Sequence, residues 1–417
     1  MEAKRKAYIN DLVIRRHNGM IKVVTGVRRS GKSYLLFKLF KKHLKQEGVP
    51  DSHIIEIQLD NRKYRELQNP DNCYRYVEEQ IKDRKMHYLL LDEVQLMEDF
   101  ESVLNGFLHI DNLDVYVTGS NSRFLSSDVI TEFRGRGDEV RIYPLSFKEL
   151  YETKGLDFDD AWIEYQTFGG LPALLPMETE KQKIEYLESL FRNVYLNDVL
   201  ERNTIRNSDM LDDLVNVLAS SIGAPTNPTN IANTYSSIKK SSCSPKTISA
   251  YIKYLEDAFL ISGAERYDIK GRKYIGSNKK YYFVDVGLRN AKLGFKQQEP
   301  THIMENIIYN ELLVRGFKVD VGNVEINERN KQGISTRKQL EVDFVANRGN
   351  ERIYIQSAYQ LPTEDKWKQE RKSLQQIRDS FKKVIIMRDN TKPWRDENGF
   401  VIMGLKDFLL SENSLDF

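Results

Sequence analysis

Eight consecutive residues near the start of the chain have the types and the spacing that bind a polyphosphate. Gly26, Gly31, Lys32 and Ser33 fill the fixed places of the pattern G-x-x-x-x-G-K-[ST]. Glycines let backbone N–H groups approach phosphate oxygens, and the start of a helix adds partial positive charge. The lysine would reach the β- and γ-phosphates, and the serine hydroxyl would bind Mg²⁺. The motif therefore predicts a site for a nucleoside triphosphate.

Two flanking elements must position this motif. Residues 21–25 are apolar and predict a short buried strand, and residues 33–45 carry apolar side chains at helical spacing. The motif is thus predicted to form the turn between a strand and a helix, which is the context it requires. The residues expected to contact the nucleotide are Gly26, Val27, Arg28, Arg29, Ser30, Gly31, Lys32, Ser33 and Tyr34.

A second motif consists of two adjacent carboxylates after an aliphatic strand. Residues 87–91 read H-Y-L-L-L and are followed by Asp92 and Glu93. A strand of this composition is typically buried on both faces, so its carboxyl end lies at the ligand-binding edge of a parallel sheet. Asp92 would support Mg²⁺, and Glu93 would polarise the attacking water. Together the two motifs predict hydrolysis of the triphosphate.

Two further segments contain candidate site residues, and each segment has a second, non-catalytic interpretation. Residues 114–118 predict a third strand, and Ser120 or Asn121 after it would sense the γ-phosphate, although Gly-Ser-Asn-Ser is also ordinary turn chemistry. Arg134 and Arg136 lie in the segment F-R-G-R-G. Such an arginine can stabilise charge on a phosphoryl group from the same or a neighbouring subunit. A solvated charge cluster is the alternative interpretation.

The order of these motifs resembles a known group of proteins. The matching segments are GVRRSGKS, LLLDEVQ, VTGSNSRFL, FRGRG and YPLSFKEL, then FGGLP at 168–172, YYFVDVGLR at 281–289 and EVDFV at 341–345. The chain is similar to predicted prokaryotic AAA+ ATPases with a nuclease-like C-terminal domain. The resemblance implies ATP and Mg²⁺ as ligands, Asn121 or Ser120 as the sensor, and Arg136, less directly Arg134, as an arginine finger. A finger acting in trans implies a homo-oligomer.

Composition limits the remaining function classes. The 417 residues carry 63 basic and 61 acidic side chains, so no global charge directs the chain to nucleic acid or membrane. Two cysteines, Cys73 and Cys243, form neither a metal spacing nor a disulfide framework. None of the six histidines forms an i, i+4 pair, and nowhere do eighteen apolar residues run together. These features predict a cytoplasmic protein with no membrane partner.

Changes of pattern predict four regions. An α/β P-loop NTPase core of AAA+-like type, with a parallel sheet, is expected at 1–146, and a helical lid at 147–207. A winged-helix domain is expected at 208–295. Residues 300–417 resemble a PD-(D/E)XK-like α/β domain of the nuclease type.

The predicted winged helix carries a local cationic surface. Ser244 offers an N-cap, Pro245 starts a helix, and Lys246 and Lys253 lie on the face opposite its apolar residues. Other nearby cations are Lys239, Lys240, Lys270, Arg272 and Lys273. This surface predicts contact with DNA, or with a protein partner if the lysines only face solvent.

The nuclease-like region matches its motif only in part. Glu305 and Asp343 occupy the first two acidic places, but Gln356 and Ala358 stand where the motif has a carboxylate and a lysine. Without the lysine, nothing evident stabilises the developing charge. Lys366, Lys368 or Lys372 are candidates to replace it. The sequence predicts a degenerate site that grips DNA or docks a partner rather than cutting.

Three functions remain open at this point. The first is an Mg·ATP-hydrolysing motor or switch acting on DNA or protein. The second is a nucleotide-switched interaction protein with little turnover. The third is an ATP-regulated, metal-dependent DNA nuclease, which the departures at Gln356 and Ala358 disfavour.

Overall fold

The computed structural model describes the chain except for residues 1, 120–132, 134, 204, 206, 240–242, 275, 277, 298, 330–334 and 361–362. The chain forms two compact units. The first unit contains Met1–Leu145, Leu171–Leu175 and Asp257–Phe259. The second unit contains Ser146–Gly170, Pro176–Glu256 and Leu260–Phe417.

The first unit is built on a five-stranded sheet. Its strands are β1 (Ile21–Gly26), β2 (Ile54–Gln58), β3 (His87–Asp92), β4 (Leu113–Thr118) and β5 (Gly137–Ile142), in the order β2-β3-β4-β1-β5. All four pairings are parallel, with Lys22 opposite Tyr116 and Ile21 opposite Gly137. The carboxyl ends of the strands therefore share one edge, and the predicted parallel α/β sheet is confirmed.

Helices cover both faces of this sheet. They are α1 (Lys6–Ile14), α2 (the continuous segments Lys32–Tyr34, Leu35–Phe40 and Lys41–Gln46, the middle one π-helical), α3 (Pro70–Gln80) and α4 (Phe100–Phe107). One apolar cluster joins the sheet to α3 and α4, and a second joins it to α1 and α2. Burial on both faces explains why β3 reads as an unbroken apolar run.

The second unit begins with helices. They are α5 (Phe147–Lys154), α6 (Phe158–Phe168), α7 (Glu180–Leu190, continuing through Phe191–Leu196 and Asn197–Arg202), α8 (Ser208–Ser220), α9 (Pro228–Lys239) and α10 (Pro245–Asp257). Ser146 and Glu149 form a capping box at the start of α5, and Thr179 and Gln182 form another at α7. No helix among the described residues is long and apolar enough to cross a bilayer.

Two sheets complete the second unit. A two-stranded antiparallel sheet joins β6 (Ile261–Ala264) to β9 (Lys280–Phe283). The other sheet has the order β14-β15-β13-β12-β11-β10-β7-β8. Its strands are β7 (Arg266–Asp268), β8 (Lys273–Tyr274), β10 (Lys318–Arg329), β11 (Ser335–Arg348), β12 (Glu351–Ala358), β13 (Lys382–Met387), β14 (Trp394–Arg395) and β15 (Val401–Gly404). Strands from the predicted winged-helix segment and from the nuclease-like segment thus share one sheet.

Four helices pack with these sheets, namely α11 (Val286–Lys292), α12 (Pro300–Val314), α13 (Glu364–Gln375) and α14 (Leu405–Leu410). Along the chain, α12 is followed by β10, β11, β12, α13 and β13. β10, β11 and β12 are antiparallel neighbours, whereas β12 and β13 are parallel.

A buried carboxylate joins two of the motifs noted in the sequence. Asp285 caps α11 by accepting the Leu288 N–H at 3.0 Å and also accepts the Gly170 N–H at 2.7 Å. Burial raises the pKa of Asp285 to about 6, although these hydrogen bonds oppose the shift. A Cβ atom on Gly169 would lie 2.2 Å from an Asp285 oxygen. The G-G and D-x-G segments are therefore packing partners.

Candidate functional site

The phosphate-binding motif lies where β1 passes into α2. The Lys32 ammonium donates to the carbonyls of Gly26 and Val27 at 3.0 and 3.1 Å, and the side chain is buried. Gly26 has φ 136°, and a Cβ atom there would lie 2.1 Å from the Ile142 carbonyl oxygen. The Gly26 position thus requires glycine because β5 passes so closely, a reason beyond phosphate approach.

The structure brings the two predicted metal-binding residues together. The Ser33 hydroxyl lies close enough to the carboxylate of Asp92, at the end of β3, to oppose the rise in the pKa of that group. The hydroxyl of Thr118, at the end of β4, donates a hydrogen bond to the same carboxylate. Thr118 is fully buried. Two hydroxyls from different elements therefore fix the orientation of one carboxylate at the sheet edge.

The electrostatics of this edge favour a bound cation. Burial raises the pKa of Asp92, and the hydrogen bonds from Thr118 and Ser33 oppose that shift. The negative charges of Glu93 and Asp60 raise the pKa of Asp92 further. Three carboxyl groups thus converge beside the phosphate-binding lysine, and oxygen ligands of this kind suit Mg²⁺. Sequence reasoning missed both Thr118 and Asp60.

Glu93 has an unusual backbone conformation. Its φ of 52° is in the left-handed region, where a residue other than glycine is strained. Its N–H approaches the Thr118 hydroxyl at 3.4 Å, and the amide of Gln95 donates to its carboxylate. Glu93 also lines the cavity described next. The backbone and Gln95 therefore hold this carboxylate toward the space above the phosphate-binding loop.

A cavity of about 610 Å³ lies within the first unit against this loop. The loop and helix residues that line it are Arg28, Arg29, Ser30, Gly31, Lys32, Ser33, Tyr34, Leu35 and Leu39. The other walls consist of Glu2, Ala3, Arg5, Asp60, Glu93, Leu145, Pro172, Ala173 and Leu175. Val27 is buried and, like Gly26, does not line the cavity. The walls from residues 2–5 and 172–175 were not predicted.

Two observations test whether these residues suit a polyphosphate. The Ser30 hydroxyl is fully buried and has no hydrogen-bond partner among the described residues. Gly31 forms the N-cap of α2 and supplies no side-chain cap, so it leaves room at the helix start. A buried polar atom without a partner is costly unless a ligand satisfies it. The residues present therefore fit a phosphate group beside Ser30, Gly31 and Lys32.

The remaining predicted ATP-site residues lie elsewhere or outside the described residues. Ser120, Asn121 and Arg134 fall outside them. Arg136 is exposed and directly precedes β5, and its carbonyl accepts the N–H of Ile21 at the start of β1. It therefore lies at the amino edge of the parallel sheet, opposite the phosphate-binding loop. From this edge Arg136 could reach a phosphate group only in a neighbouring subunit, so the arginine-finger hypothesis remains only as action in trans.

Comparison with known proteins decides the family. The family described as "AAA domain" matches residues 18–151, and a domain of unknown function (DUF8612) matches residues 159–299. An uncharacterised protein of Haemophilus influenzae is 34% identical over 388 residues, which cover 92% of each chain. One from Methanocaldococcus jannaschii is 30% identical, covering 86% of this chain and 79% of that one. The chain belongs to the AAA+ P-loop ATPases. All of the AAA domain match except residues 146–151 lies in the first unit, hereafter the AAA+ unit.

Solved AAA+ structures are only distantly similar to the whole chain. The Aeropyrum pernix ORC1 protein, solved with DNA, is 13% identical, covers 70% of this chain and 92% of its own, and has a TM-score of 0.30. AMPPCP-bound DnaA from Aquifex aeolicus is 14% identical, covers 62% and 89%, and has a TM-score of 0.28. Scores this low carry no information about the site.

A second group of titratable residues lies in the second unit. The Lys280 ammonium lies 3.2 Å from Glu305 and 2.6 Å from Glu341. The Tyr282 hydroxyl donates to Glu305 at 2.7 Å. Burial, and next the charge of Glu305, raise the pKa of Asp343 well above its ordinary value, whereas Lys280 opposes the shift. Lys280, on β9, thus lies among the predicted acidic residues of the nuclease-like site.

The third predicted position of that site is also buried. The amide of Gln356 donates to Glu370 at 3.0 Å, but its carbonyl oxygen has no hydrogen-bond partner among the described residues. Asp343 accepts the Ser357 N–H at 2.7 Å. Ala358, where the motif has lysine, is buried in an apolar cluster. The cation at this site therefore comes from β9, and its position could not be found by motif spacing.

Two of the three candidate lysines have partners elsewhere, because Lys372 pairs with Glu328 and Lys368 lies 3.5 Å from Glu364. The third, Lys366, lies near enough to Glu370 for its charge to oppose the rise that burial causes in the pKa of that carboxyl group. On the predicted winged-helix surface, Lys246 and Lys253 are exposed. Nearby cations are engaged, because Lys239 pairs with Asp213 at 3.1 Å and Lys270 donates to the Glu325 carbonyl at 2.7 Å. Lys240 lies outside the described residues.

Two buried histidines lie side by side at the amino edge of the AAA+ unit's sheet. Their proximity was not predicted from the sequence. His53 and His87 are stacked with centroids 4.4 Å apart, and Asp83 is near both. His53 lies 3.2 Å from Asp83, and His87 lies 2.8 Å from the Lys85 carbonyl. These hydrogen bonds account for the cluster without a metal.

Proposed function

We propose that the AAA+ unit hydrolyses Mg·ATP. The observation that carries this proposal is the contact of Ser33 and Thr118 with the same Asp92 carboxylate, beside the buried Lys32. These groups occupy the edge where ligands of open parallel sheets bind. Family membership supports ATP as the nucleotide.

Each residue of the site would have a distinct role in ATP hydrolysis. Lys32 and the N–H groups at the start of α2 would hold the phosphates, and Ser33 with Asp92 would hold Mg²⁺. Bound there, Mg²⁺ neutralises charge on the phosphate oxygens. A water oxygen bonds to the γ-phosphorus while the bond from that phosphorus to the β,γ-bridging oxygen breaks. Glu93 accepts the proton of the water, and ADP and phosphate leave.

Replacing the P-loop lysine tests the proposal. Lys32→Met keeps the stem of a buried side chain but removes the ammonium, so we expect ATP binding about 10- to 100-fold weaker and hydrolysis near background. The measurements are equilibrium binding of labelled ATP and phosphate release. Lys38→Met, at an exposed position of the same helix, serves as the control. An absence of hydrolysis in the wild-type protein with Mg²⁺, or unchanged binding in Lys32→Met, refutes the proposal.

Thr118 offers a test of the metal site. Thr118→Val preserves shape but removes the hydroxyl that donates to Asp92. Hydrogen bonds to charged groups contribute about 1.5–3 kcal/mol, so the Mg²⁺ concentration for half-maximal hydrolysis should rise about 10- to 150-fold. Thr25→Val is a matched control, because Thr25 is equally buried but hydrogen-bonds Glu139 instead. Equal Mg²⁺ dependence in the two variants would show that Thr118 does not support the metal.

The process that the ATP cycle drives depends on the partner that the protein binds. We propose that the second unit links hydrolysis to DNA or to a protein partner, and that Arg136 acts on the site of a neighbouring copy. The exposed position of Arg136 at the amino edge supports action in trans. DNA-stimulated hydrolysis would indicate a motor. A rate that changes only with a protein partner would indicate the nucleotide-switched interaction module.

Lys280 favours a second candidate function, metal-dependent phosphodiester cleavage at the nuclease-like site. Among the described residues, this site sets the carboxyl groups of Glu305, Glu341, Asp343 and Glu370 against the ammonium of Lys280. That excess of negative charge, together with the unpartnered Gln356 carbonyl oxygen, favours a divalent cation. Water would attack phosphorus while a carboxylate of the cluster accepts its proton, the bond to the leaving oxygen would break, and Lys280 would stabilise the developing charge.

Cleavage is tested with two variants. In the presence of Mn²⁺ or Mg²⁺, Asp343→Asn should abolish nicking of plasmid DNA, and Lys280→Met should slow it at least about 100-fold. A thermal unfolding scan shows whether each variant folds. Lys32→Met serves as the control, because its lesion lies in the AAA+ unit. Plasmid that stays intact with the wild-type protein would rule out this function and leave Lys280 as a structural ion pair.

A further inference from the structure

A second cavity, of about 520 Å³, lies in the second unit where β12 and β13 begin. Four cationic side chains line it, namely Arg352, Lys382, Lys383 and Arg395. Gln356, of the nuclease-like site, lies toward the other end of β12. This cationic pocket is therefore a separate feature from the acidic cluster around Asp343.

Neutral oxygens hold three of the four cations. Arg352 donates to the side-chain carbonyl of Asn347 at 2.8 Å, and Lys382 donates to the Leu415 backbone carbonyl. The backbone carbonyl of Asp379 accepts from Lys383 at 3.1 Å. These three bonds orient the cationic groups and leave their positive charge in place. Arg395 instead donates to the α-carboxylate of Phe417 at 3.1 Å.

The two acidic residues of the pocket offset only part of that charge. Glu351 pairs with Arg348 at 3.0 Å, outside the pocket lining. Asp379 accepts the Tyr354 hydroxyl at 2.7 Å and the Phe381 N–H at 3.2 Å. Among the described residues, Arg352, Lys382 and Lys383 form no ion pair. The pocket therefore presents a concentrated positive charge on a chain whose net charge is only +2.

An exposed aromatic ring lies among these cations. Phe381 lines the pocket and is 41% exposed, so its ring is accessible from solvent. The Arg352 guanidinium lies 5.5 Å from its ring centroid. Phe400, which is buried, lines the pocket as well, with Lys383 at 5.9 Å from its ring. The lining thus combines phosphate-binding groups with an accessible stacking surface.

We propose that this pocket binds a single-stranded nucleic acid, with backbone phosphates on the cations and a base stacked on Phe381. Paired cations and aromatic rings are the combination that binds single strands with little sequence preference. A duplex hides the faces of its bases, so it would leave Phe381 unused. The proposal depends neither on ATP hydrolysis nor on cleavage at the acidic cluster.

The sequence favoured a different surface, on the predicted winged helix, for contact with DNA. On the predicted winged-helix surface, Lys239 is paired with Asp213, whereas Arg352, Lys382 and Lys383 of the pocket have no acidic partner among the described residues. Coulomb attraction to phosphate is reduced wherever a carboxylate already neutralises the cation. Lys239 therefore attracts a phosphodiester strand less strongly than these pocket cations do.

Fluorescence anisotropy with the full chain tests the proposal, using a labelled single-stranded oligothymidylate of about 20 nucleotides and no ATP. The double variant Lys382→Glu, Lys383→Glu should raise Kd at least about tenfold and reduce the salt dependence of binding by one to two counterions, as roughly expected for two lost phosphate contacts. Phe381→Ala should raise Kd about tenfold through lost stacking. Both lysines are half-buried, so replacing them can disturb folding. Arg395 is exposed, so Arg395→Gln provides a further pocket variant whose fold should be unaffected.

The matched comparison is Lys246→Glu, Lys253→Glu on the exposed face of α10, with the same change of charge. This pair should leave Kd within about twofold of the wild-type value. The proposal is overturned if the wild-type protein does not bind the strand, if the α10 pair loses as much affinity as the pocket pair, or if the pocket variants bind normally. Full displacement by inorganic phosphate, with no effect of Phe381→Ala, would identify a small-anion site and also overturn it.

Discussion

Glu93→Gln should reduce the kcat for ATP hydrolysis about 10²- to 10⁴-fold while leaving ATP affinity nearly unchanged. Glutamine has almost the same shape but cannot accept the proton of the attacking water. The carboxylate lines the nucleotide cavity, and a left-handed backbone with a hydrogen bond from Gln95 holds it there. Such fixed placement is what a general base requires.

Single-turnover phosphate release and ATP binding, measured on the same preparation, separate the two effects. Glu98→Gln is the matched control, because Glu98 is exposed and lies five residues further along the chain. Equal loss of binding and of hydrolysis in Glu93→Gln would assign Glu93 to nucleotide binding. Normal hydrolysis in Glu93→Gln would require another base, and Asp60 would be the next residue to test.

Gly287→Ala should destabilise the second unit by about 3 kcal/mol or more. A Cβ atom at this position would lie 1.9 Å from the backbone carbonyl oxygen of Phe168, and backbone cannot move aside as a flexible side chain can. The neighbouring Asp285 carboxylate, which accepts N–H groups from Gly170 and Leu288, would be displaced with it. The expected result is a lower midpoint in urea or heat, or loss of soluble protein.

Gly276→Ala is the control for this substitution, because a Cβ atom there meets nothing within 4 Å. Its stability should stay within about 0.5 kcal/mol of the wild-type value. If Gly287→Ala were equally harmless, the close packing of α6 against α11 would not exist in solution. Near-ultraviolet circular dichroism would show whether the packing of aromatic side chains changes.

The parts of the AAA+ site that the sequence revealed are local in the chain. The P-loop sits between a strand and a helix that adjoin it, and Asp92 and Glu93 end a strand that its composition identifies. Strand periodicity and turn chemistry act over a few residues, so these elements could be predicted within one or two positions. Family resemblance added the expectation of an AAA+ core, which the comparisons confirm.

The contributions that the sequence could not reveal depend on which distant segments meet. Thr118 supports Asp92 only because β4 lies next to β3, and nothing in either strand specifies that neighbour. Lys280 joins Glu305 from a strand in a different predicted domain. The position of Arg136 could, however, be predicted from the sequence, because a residue that precedes a parallel strand must lie at the opposite edge of the sheet from a residue that follows a strand.

The strand order has a consequence for how this protein folds. β1 carries the P-loop and is made first, yet its neighbours in the sheet of the described residues are β4 and β5. β2 and β3 can pair with each other soon after synthesis, whereas β1 must close a long loop before it pairs with β4. A nascent chain that stops before β4 therefore has no sheet to fix its P-loop. ATP can begin to stabilise the AAA+ unit only after β4 has emerged from the ribosome.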